Sequence, residues 1–223
     1  MFILSYSTKP LNNSAAPHSL YPFRRVGGKE TFSMNTALIA LDYIVDISHP
    51  EGKIARSAQQ VIERDAIARA NSALSLAQRK DWLRILVKVG FAAGYVDQPK
   101  YSRMFGQAHQ FGAIALGQPG TDFHPDLASD LGELTIVKPR VSAFYGTNLD
   151  ATLRARRIER LVICGVSSTW AVQATARDAH DRDYQVLILE EACAAATAEE
   201  HRISMETLAT IADIVTLEQL SAL

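Results

Sequence analysis

The segment LVICGVSSTWAVQATARDA, residues 161–179, predicts a buried strand, a tight turn and the first turns of a helix. Leu161 to Cys164 form a continuous apolar run, typical of a parallel strand covered on both faces, and Gly165 ends it where the chain must turn sharply. Hydroxyl side chains that can cap the new helix follow at Ser167, Ser168 and Thr169. Because the backbone N–H groups at a helix start suit an anion, this turn is a candidate site for an anion or a developing oxyanion.

Apolar runs alternate with amphipathic segments along most of the chain. Other strands are predicted at residues 37–41, 83–89, 134–137, 186–189 and near 214. Helices are predicted at about 56–78, 147–157 and 197–211. This alternation predicts an α/β fold, namely a doubly wound, mainly parallel β-sheet with helices on both faces.

The composition is that of a globular protein with one domain. The chain has 223 residues, 48% hydrophobic and 21% charged, which suffices for one sizeable core. A formal net charge of −1 gives no electrostatic reason to expect a nucleic acid or an anionic membrane as partner. No stretch is long and apolar enough to cross a membrane, and Cys164 and Cys193 form no disulfide framework. A cytoplasmic protein is therefore expected.

Residues 1–33 differ from the rest because they hold prolines, glycines and asparagines without sustained periodicity. We expect an N-terminal tail over 1–33, flexible in solution, and a folded domain over 34–223. Met34 lies directly before the first strand, so one interpretation is that translation starts there. The other is that the tail is an arm that docks on a neighbouring subunit.

A carboxylate and a lysine follow two of the predicted strands. Asp42 comes directly after the first strand and Lys138 directly after the third. Chemistry in open α/β sheets gathers at the carboxyl ends of the strands. A lysine buried there needs a carboxylate partner, so we expect Asp42 and Lys138 to pair.

The segment between Gly90 and Pro125 is rich in glycine and aromatic residues. A loop of this length in a compact domain is usually functional. Its rings either form a substrate pocket or anchor the loop to the core, and both interpretations stay open. The expected substrate-binding residues, from this loop and from later positions, are Phe91, Tyr95, Arg140, Phe144 and Trp170.

Three blocks in this order resemble the isochorismatase-like hydrolase superfamily, which includes the cysteine hydrolases. They are Asp42 after the first strand, Lys138 in VKPRVSAF, and CGV at 164–166 leading to ATARDA. The resemblance extends from Thr36 to the C-terminus and implies a doubly wound sheet and a homo-oligomer, a dimer or a tetramer. Many members are amidases in which a cysteine attacks, an aspartate exchanges the proton, a lysine steadies the charges, and amides near a cis peptide hold the oxyanion.

The resemblance implies catalytic positions at Asp42, Lys138 and Ala171, where Ala171 stands at the nucleophile position without a thiol. It places the cis peptide at Val166–Ser167 and the oxyanion site at Val166, Ser167 and Ala171. An alanine methyl cannot attack a substrate. Ser168 is the nearest substitute, but helix capping is its expected role because no histidine stands at a recognisable spacing.

Three hypotheses follow. The first is a hydrolase of the isochorismatase type, in which Asp42 protonates a vinyl ether and water replaces the thiol on a small, anionic metabolite. The second is a non-catalytic descendant that binds a ligand. The third is a cysteine-type amidase, cleaving C–N bonds, whose nucleophile was lost or was replaced to trap substrate. A small-molecule substrate is the expected partner, with no cofactor, because no phosphate loop is visible, and no metal, because the histidines have no ligand spacing.

Overall fold

The computed structural model describes residues 34–223. The predicted tail over 1–33 lies outside the described residues, so the expectations about it remain predictions. Within 34–223, six strands form one sheet: β1 (Thr36–Leu41), β2 (Leu83–Val89), β3 (Leu134–Lys138), β4 (Arg160–Gly165), β5 (Gln185–Leu189) and β6 (Asp213–Val215).

All neighbouring strands are parallel, in the order β3-β2-β1-β4-β5-β6. Every residue of the central strand β1 is buried. Since successive side chains point to opposite faces, both faces of the sheet are covered there. The predicted doubly wound α/β fold is confirmed. The strand order reverses between β1 and β4, so a crevice is expected at their carboxyl ends.

Helices connect the strands. They are α1 (Val45–Ser48), α2 (Ala58–Glu63), α3 (Ala66–Arg79), α4 (Ala108–Phe111), α5 (Leu149–Ala155), α6 (Gln173–His180), α7 (Ala198–Leu208) and α8 (Leu217–Ser221). Over residues 34–223, none of the helices combines the length and the apolar character that a membrane crossing requires.

The single helix predicted over 56–78 is wrong, because two helices occupy this region. Asp65 has a left-handed backbone, with φ 53°, and separates α2 from α3. Aspartate tolerates this conformation better than most residues. The apolar period continues across the break, and for that reason the pattern alone could not reveal it.

The turn after β4 also differs from the expected helix start. A π-helical turn, Ser168–Val172, lies between β4 and α6, and no side-chain hydrogen bond caps either element. The capping role predicted for Ser168 is therefore wrong. Gly165 is required for another reason: it has φ +151°, and an added Cβ would lie 2.4 Å from the Leu41 carbonyl oxygen of β1.

The long loop between β2 and β3 has a small core of its own. The residues packed in it are Ile44, Val89, Phe91, Phe105, Ala108, Ala113 and Ile114. Asp46 of α1 is buried, and its carboxylate accepts hydrogen bonds from Ile114 N of this loop (2.6 Å) and from Lys53 N between α1 and α2 (3.2 Å), so it ties the loop to the chain after α1. The loop is thus a packed wall over the carboxyl end of the sheet.

Candidate active site

Asp42 and Lys138 meet at the carboxyl end of the sheet. Lys138 Nζ lies 2.6 Å from Asp42 Oδ2, and their side chains are 1% and 3% exposed, respectively. Val89 N donates to Asp42 Oδ1 at 2.8 Å, and Lys138 Nζ also donates to the Val141 carbonyl at 2.6 Å. Lys138 is the last residue of β3, where the strand itself fixes its direction. The structure thus joins the two groups as expected.

The surroundings of Asp42 act on its pKa in opposite directions. Burial raises the pKa of this carboxyl above its ordinary value, whereas Lys138 and the Val89 amide favour the charged form. The net direction is upward. A carboxyl of this kind holds a proton more readily than an exposed aspartate, and it can donate that proton to a bound molecule.

The turn after β4 forms the opposite wall of the site. The Val166–Ser167 peptide bond is cis, as the resemblance implies. The amides of Trp170 and Val172 both donate to the Ser167 carbonyl at 3.2 Å. The Ala171 methyl, on a residue only 3% exposed, faces the space in front of Asp42.

A cavity of about 490 Å³ opens between these two walls. This is within the size range of small-molecule sites. The expected site residues that border it are Asp42, Lys138, Arg140, Val166, Ser167, Trp170 and Ala171. Trp170 is half exposed at the rim, which fits a residue that can contact both solvent and ligand.

Three expected substrate-binding residues do not reach the cavity. Phe91 is fully buried and packs edge-on against Phe105, with ring centroids 5.5 Å apart. The Tyr95 hydroxyl donates to the Ala113 carbonyl at 2.9 Å. Phe144 stacks on Tyr184, with ring centroids 6.2 Å apart, and does not border the cavity. These rings therefore anchor the loop and the core. The prediction failed because composition shows that aromatic residues are present but not which way their side chains point.

Several cavity residues were not foreseen from the sequence. Met104 and Phe111 come from the same long loop, where the signal was its aromatic and apolar content. Three further residues carry charge: Arg56 before α2, Arg103 on the loop and Glu200 on α7. No local pattern identifies these as cavity residues, because their positions follow only from how distant segments meet.

The two cysteine thiols of the chain do not take part in the cavity. Cys164 and Cys193 are fully buried and lie outside the cavity lining. Burial raises the pKa of the Cys164 thiol to about 12 and that of Cys193 further still. Thiols are nucleophilic as thiolates, so both are inert core residues.

From Met34 onward, no group of three or more histidine, cysteine or acidic side chains is arranged to hold a metal ion. His49 and His124 do lie together, with ring centroids 5.1 Å apart. Both rings accept local backbone hydrogen bonds through Nδ1, from Glu51 N and Asp126 N respectively. One nitrogen of each ring is thus used in a hydrogen bond that stabilises its own loop.

Comparison with known proteins supports the fold and the family. The model of the isochorismatase domain matches residues 36–219. The crystal structure of an isochorismatase family protein from Desulfovibrio vulgaris superposes with a TM-score of 0.76, at 24% identity, over 85% of this chain and 98% of that one. This likeness concerns the fold.

Two sequence relatives match over shorter stretches. The uncharacterized isochorismatase family protein YecD of Escherichia coli is 35% identical over 127 residues, which are 54% of this chain and 62% of that protein. The ureidoacrylate amidohydrolase RutB of Acinetobacter baylyi is 38% identical over 98 residues, 43% of this chain and 40% of that enzyme. The matched stretches thus span less than two thirds of either relative. The family model, which covers most of the chain, decides the assignment: this chain belongs to the isochorismatase family.

Proposed function

We propose that this protein is a hydrolase of a small anionic metabolite, in which Asp42 supplies the proton and water is the nucleophile. The buried Asp42–Lys138 pair on the wall of the cavity supports this most directly. We further propose that Ala171 occupies the position at which cysteine hydrolases of this family carry their thiol. Its methyl borders the same cavity and follows the cis peptide by a few residues.

A water nucleophile fits the chemistry available at the cavity wall. The hydroxyls of Ser57 and Ser167 border the cavity, but within residues 34–223 neither is hydrogen-bonded to a histidine or a carboxylate that could take its proton. Ser168 is fully buried. A small methyl at 171 leaves room beside Asp42 for a water molecule.

For a vinyl ether substrate, the proposed steps balance as follows. The protonated carboxyl of Asp42 gives its proton to the terminal vinyl carbon, which leaves an oxocarbenium ion. Water adds to the cationic carbon, and its proton returns to the Asp42 carboxylate. The resulting hemiketal then breaks into a ketone and an alcohol. Lys138 stabilises the carboxylate while it is charged.

The charges around the cavity support an anionic substrate. Among the described residues, the arginines that border it are Arg56, Arg103 and Arg140, and the acidic side chains are those of Asp42 and Glu200. Asp42 is already paired with Lys138. The arginines therefore leave positive charge available, and guanidinium groups suit carboxylates because they can form two parallel hydrogen bonds.

A second candidate is an amidase whose nucleophile has been replaced. The similarity to a ureidoacrylate amidohydrolase favours this alternative, because it concerns an enzyme that acts on a C–N bond. In that case the pocket and the Asp42–Lys138 pair would remain, and the chain would bind an amide or ureide without cleaving it. In this alternative the protein would act as a binding protein that catalyses no reaction.

A substrate screen by mass spectrometry separates the candidates. Vinyl ethers, ureides and amides that carry a carboxylate would be offered to the wild type and to Asp42→Asn, with the exposed Asp130→Asn as control. Turnover lost only in Asp42→Asn supports the proposal, and deuterium from D₂O on the product carbon shows that the vinyl carbon is protonated during turnover. Silence of the wild type toward all three classes refutes it.

Ala171→Cys tests the second candidate with the same panel. A restored thiol should form an acyl-enzyme that hydroxylamine converts into a hydroxamate. Hydroxamate from Ala171→Cys, with a silent wild type, identifies a disabled amidase. Wild-type turnover without hydroxamate identifies the water mechanism.

A further inference from the structure

A buried histidine connects α7 with the turn that borders the cavity. His201 is 3% exposed, and its Nδ1 lies 2.8 Å from Ser168 Oγ. Its Nε2 lies 3.3 Å from Glu190 Oε1, and Arg64 approaches the same carboxylate oxygen at 3.8 Å. Glu190 can only accept, so the network assigns the ring proton to Nε2. Nδ1 is then the acceptor for the Ser168 hydroxyl.

The environment favours this neutral form of the ring. Burial lowers the pKa of His201, the Arg64 charge lowers it further, and Glu190 opposes both. A neutral imidazole keeps Nδ1 free to accept. The hydrogen bond from Ser168 is therefore intact near neutral pH.

This serine and histidine are not arranged to attack a substrate. Ser168 is 0% exposed and does not border the cavity. Three nearby residues of the turn do border the cavity: Ser167 precedes Ser168, and Trp170 and Ala171 follow it. The hydrogen bond of Ser168 thus holds the turn on the side that faces away from the cavity.

Other bonds hold the same turn. Ser168 N donates to the Ala194 carbonyl at 2.8 Å. Ser204, one helical turn after His201 on α7, donates from Oγ to the Glu200 carbonyl at 2.7 Å, and its Oγ lies 3.3 Å from Thr169 Oγ1, where it can accept a hydrogen bond from the Thr169 hydroxyl. Residues three apart lie on the same face of a helix, so α7 presents two side chains to two successive residues of the turn.

We infer that His201 is a positioning residue that acts through Ser168 to fix the turn of residues 166–171, and with it the Ala171 methyl and the amides on the cavity wall. The effect of His201 on the structure of the turn follows from the hydrogen bonds described above. Its effect on catalysis rests on the proposed function. Preorganised groups around a reacting centre lose effectiveness when they move by even a fraction of an ångström.

Amide hydrogen exchange followed by mass spectrometry tests the structural half. Ser168→Ala and His201→Leu each remove the bond, whereas His201→Asn places an amide oxygen near the position of Nδ1. Exchange in peptides covering residues 165–175 should become about tenfold faster in the first two variants, and His201→Asn should remain close to the wild type. Ser48→Ala, which deletes an equally buried hydroxyl that bonds to the Ile44 carbonyl just before α1, is the matched control.

The double variant Ser168→Ala/His201→Leu should exchange no faster than either single variant, because both remove one interaction. Additive acceleration, or unchanged exchange in Ser168→Ala, overturns the inference. With any substrate from the screen, kcat should fall about tenfold at a KM within about twofold, and His201→Asn should restore it. Faster exchange with unchanged kcat overturns the catalytic half. If no substrate is ever turned over, the proposed function fails and the exchange data still decide the role of His201.

Discussion

The Asp42–Lys138 pair offers the sharpest test of the structure. Lys138 is 1% exposed, and within residues 34–223 its ammonium bonds to the Asp42 carboxylate and the Val141 carbonyl. Removing one partner of a buried pair leaves the other charge uncompensated, which typically costs about 3 to 5 kcal/mol. Asp42→Asn and Lys138→Met should each lose that much unfolding free energy. For a domain of this size this corresponds to a melting temperature about 6 to 20 °C lower.

The double variant Asp42→Asn/Lys138→Met should recover most of the loss, since no buried charge remains. Urea unfolding, followed by the fluorescence of Trp82 and Trp170, measures all three. Arg69→Met, which removes an ion pair of 3.8 Å with much more exposed partners, is the control and should cost at most about 1 kcal/mol. Additive losses in the double variant, or single losses below about 1 kcal/mol, would refute the reasoning.

The Lys138→Met loss should also depend on pH. Burial raises the pKa of Asp42 in the folded protein, and this variant removes the lysine that opposes that effect. A carboxyl whose pKa is higher folded than unfolded contributes stability below its unfolded pKa, and this contribution disappears as pH rises through the folded pKa. The loss should therefore be smaller at about pH 5 than at about pH 8. A loss that grows toward acid pH would contradict this sign.

Three further predictions concern other parts of the molecule. Gly165→Ala should destabilise the fold by about 2 to 6 kcal/mol in urea unfolding, because its Cβ would meet the β1 backbone in a strained conformation; a loss under 1 kcal/mol contradicts the tight approach. Asp46→Asn should speed proteolysis of the loop at 90–125, since an amide donor would face a backbone donor; an unchanged rate contradicts that role. Arg103→Gln should raise KM for an anionic substrate about tenfold at similar kcat; an unchanged KM removes Arg103 from substrate binding.

The sequence was most informative where local pattern and buried structure coincide. The apolar runs located all six strands, because a strand covered on both faces needs consecutive apolar residues. Asp42 and Lys138 could be paired in advance, since strand ends in a parallel sheet meet at one edge. The tight turn after Gly165 was predicted from the local pattern and its cis peptide only through family resemblance, whereas the link of this turn to His201 was missed. Ser168 and His201 are 33 residues apart, so no local spacing connects them.

The main feature that the sequence did not predict is the direction in which the side chains of the long loop point. Phe91 and Phe111 belong to the same loop and have similar chemistry, yet Phe91 is buried in the small core and Phe111 borders the cavity. Composition cannot separate them because the loop has no regular period. The break at Asp65 was hidden for the opposite reason, as the helical period continues on both sides of it.

The small core beneath the long loop has a consequence for how this cavity can change during evolution. Phe91 and Ala113 hold the loop without bordering the cavity, while Arg103, Met104 and Phe111 border the cavity without belonging to that core. Phe105, Ala108 and Ile114 belong to the core and border the cavity as well, so folding and recognition share some residues of this segment and separate at others. Mutations at the three cavity positions can accumulate with little loss of stability, so substrate preference can drift among descendants that keep the same architecture.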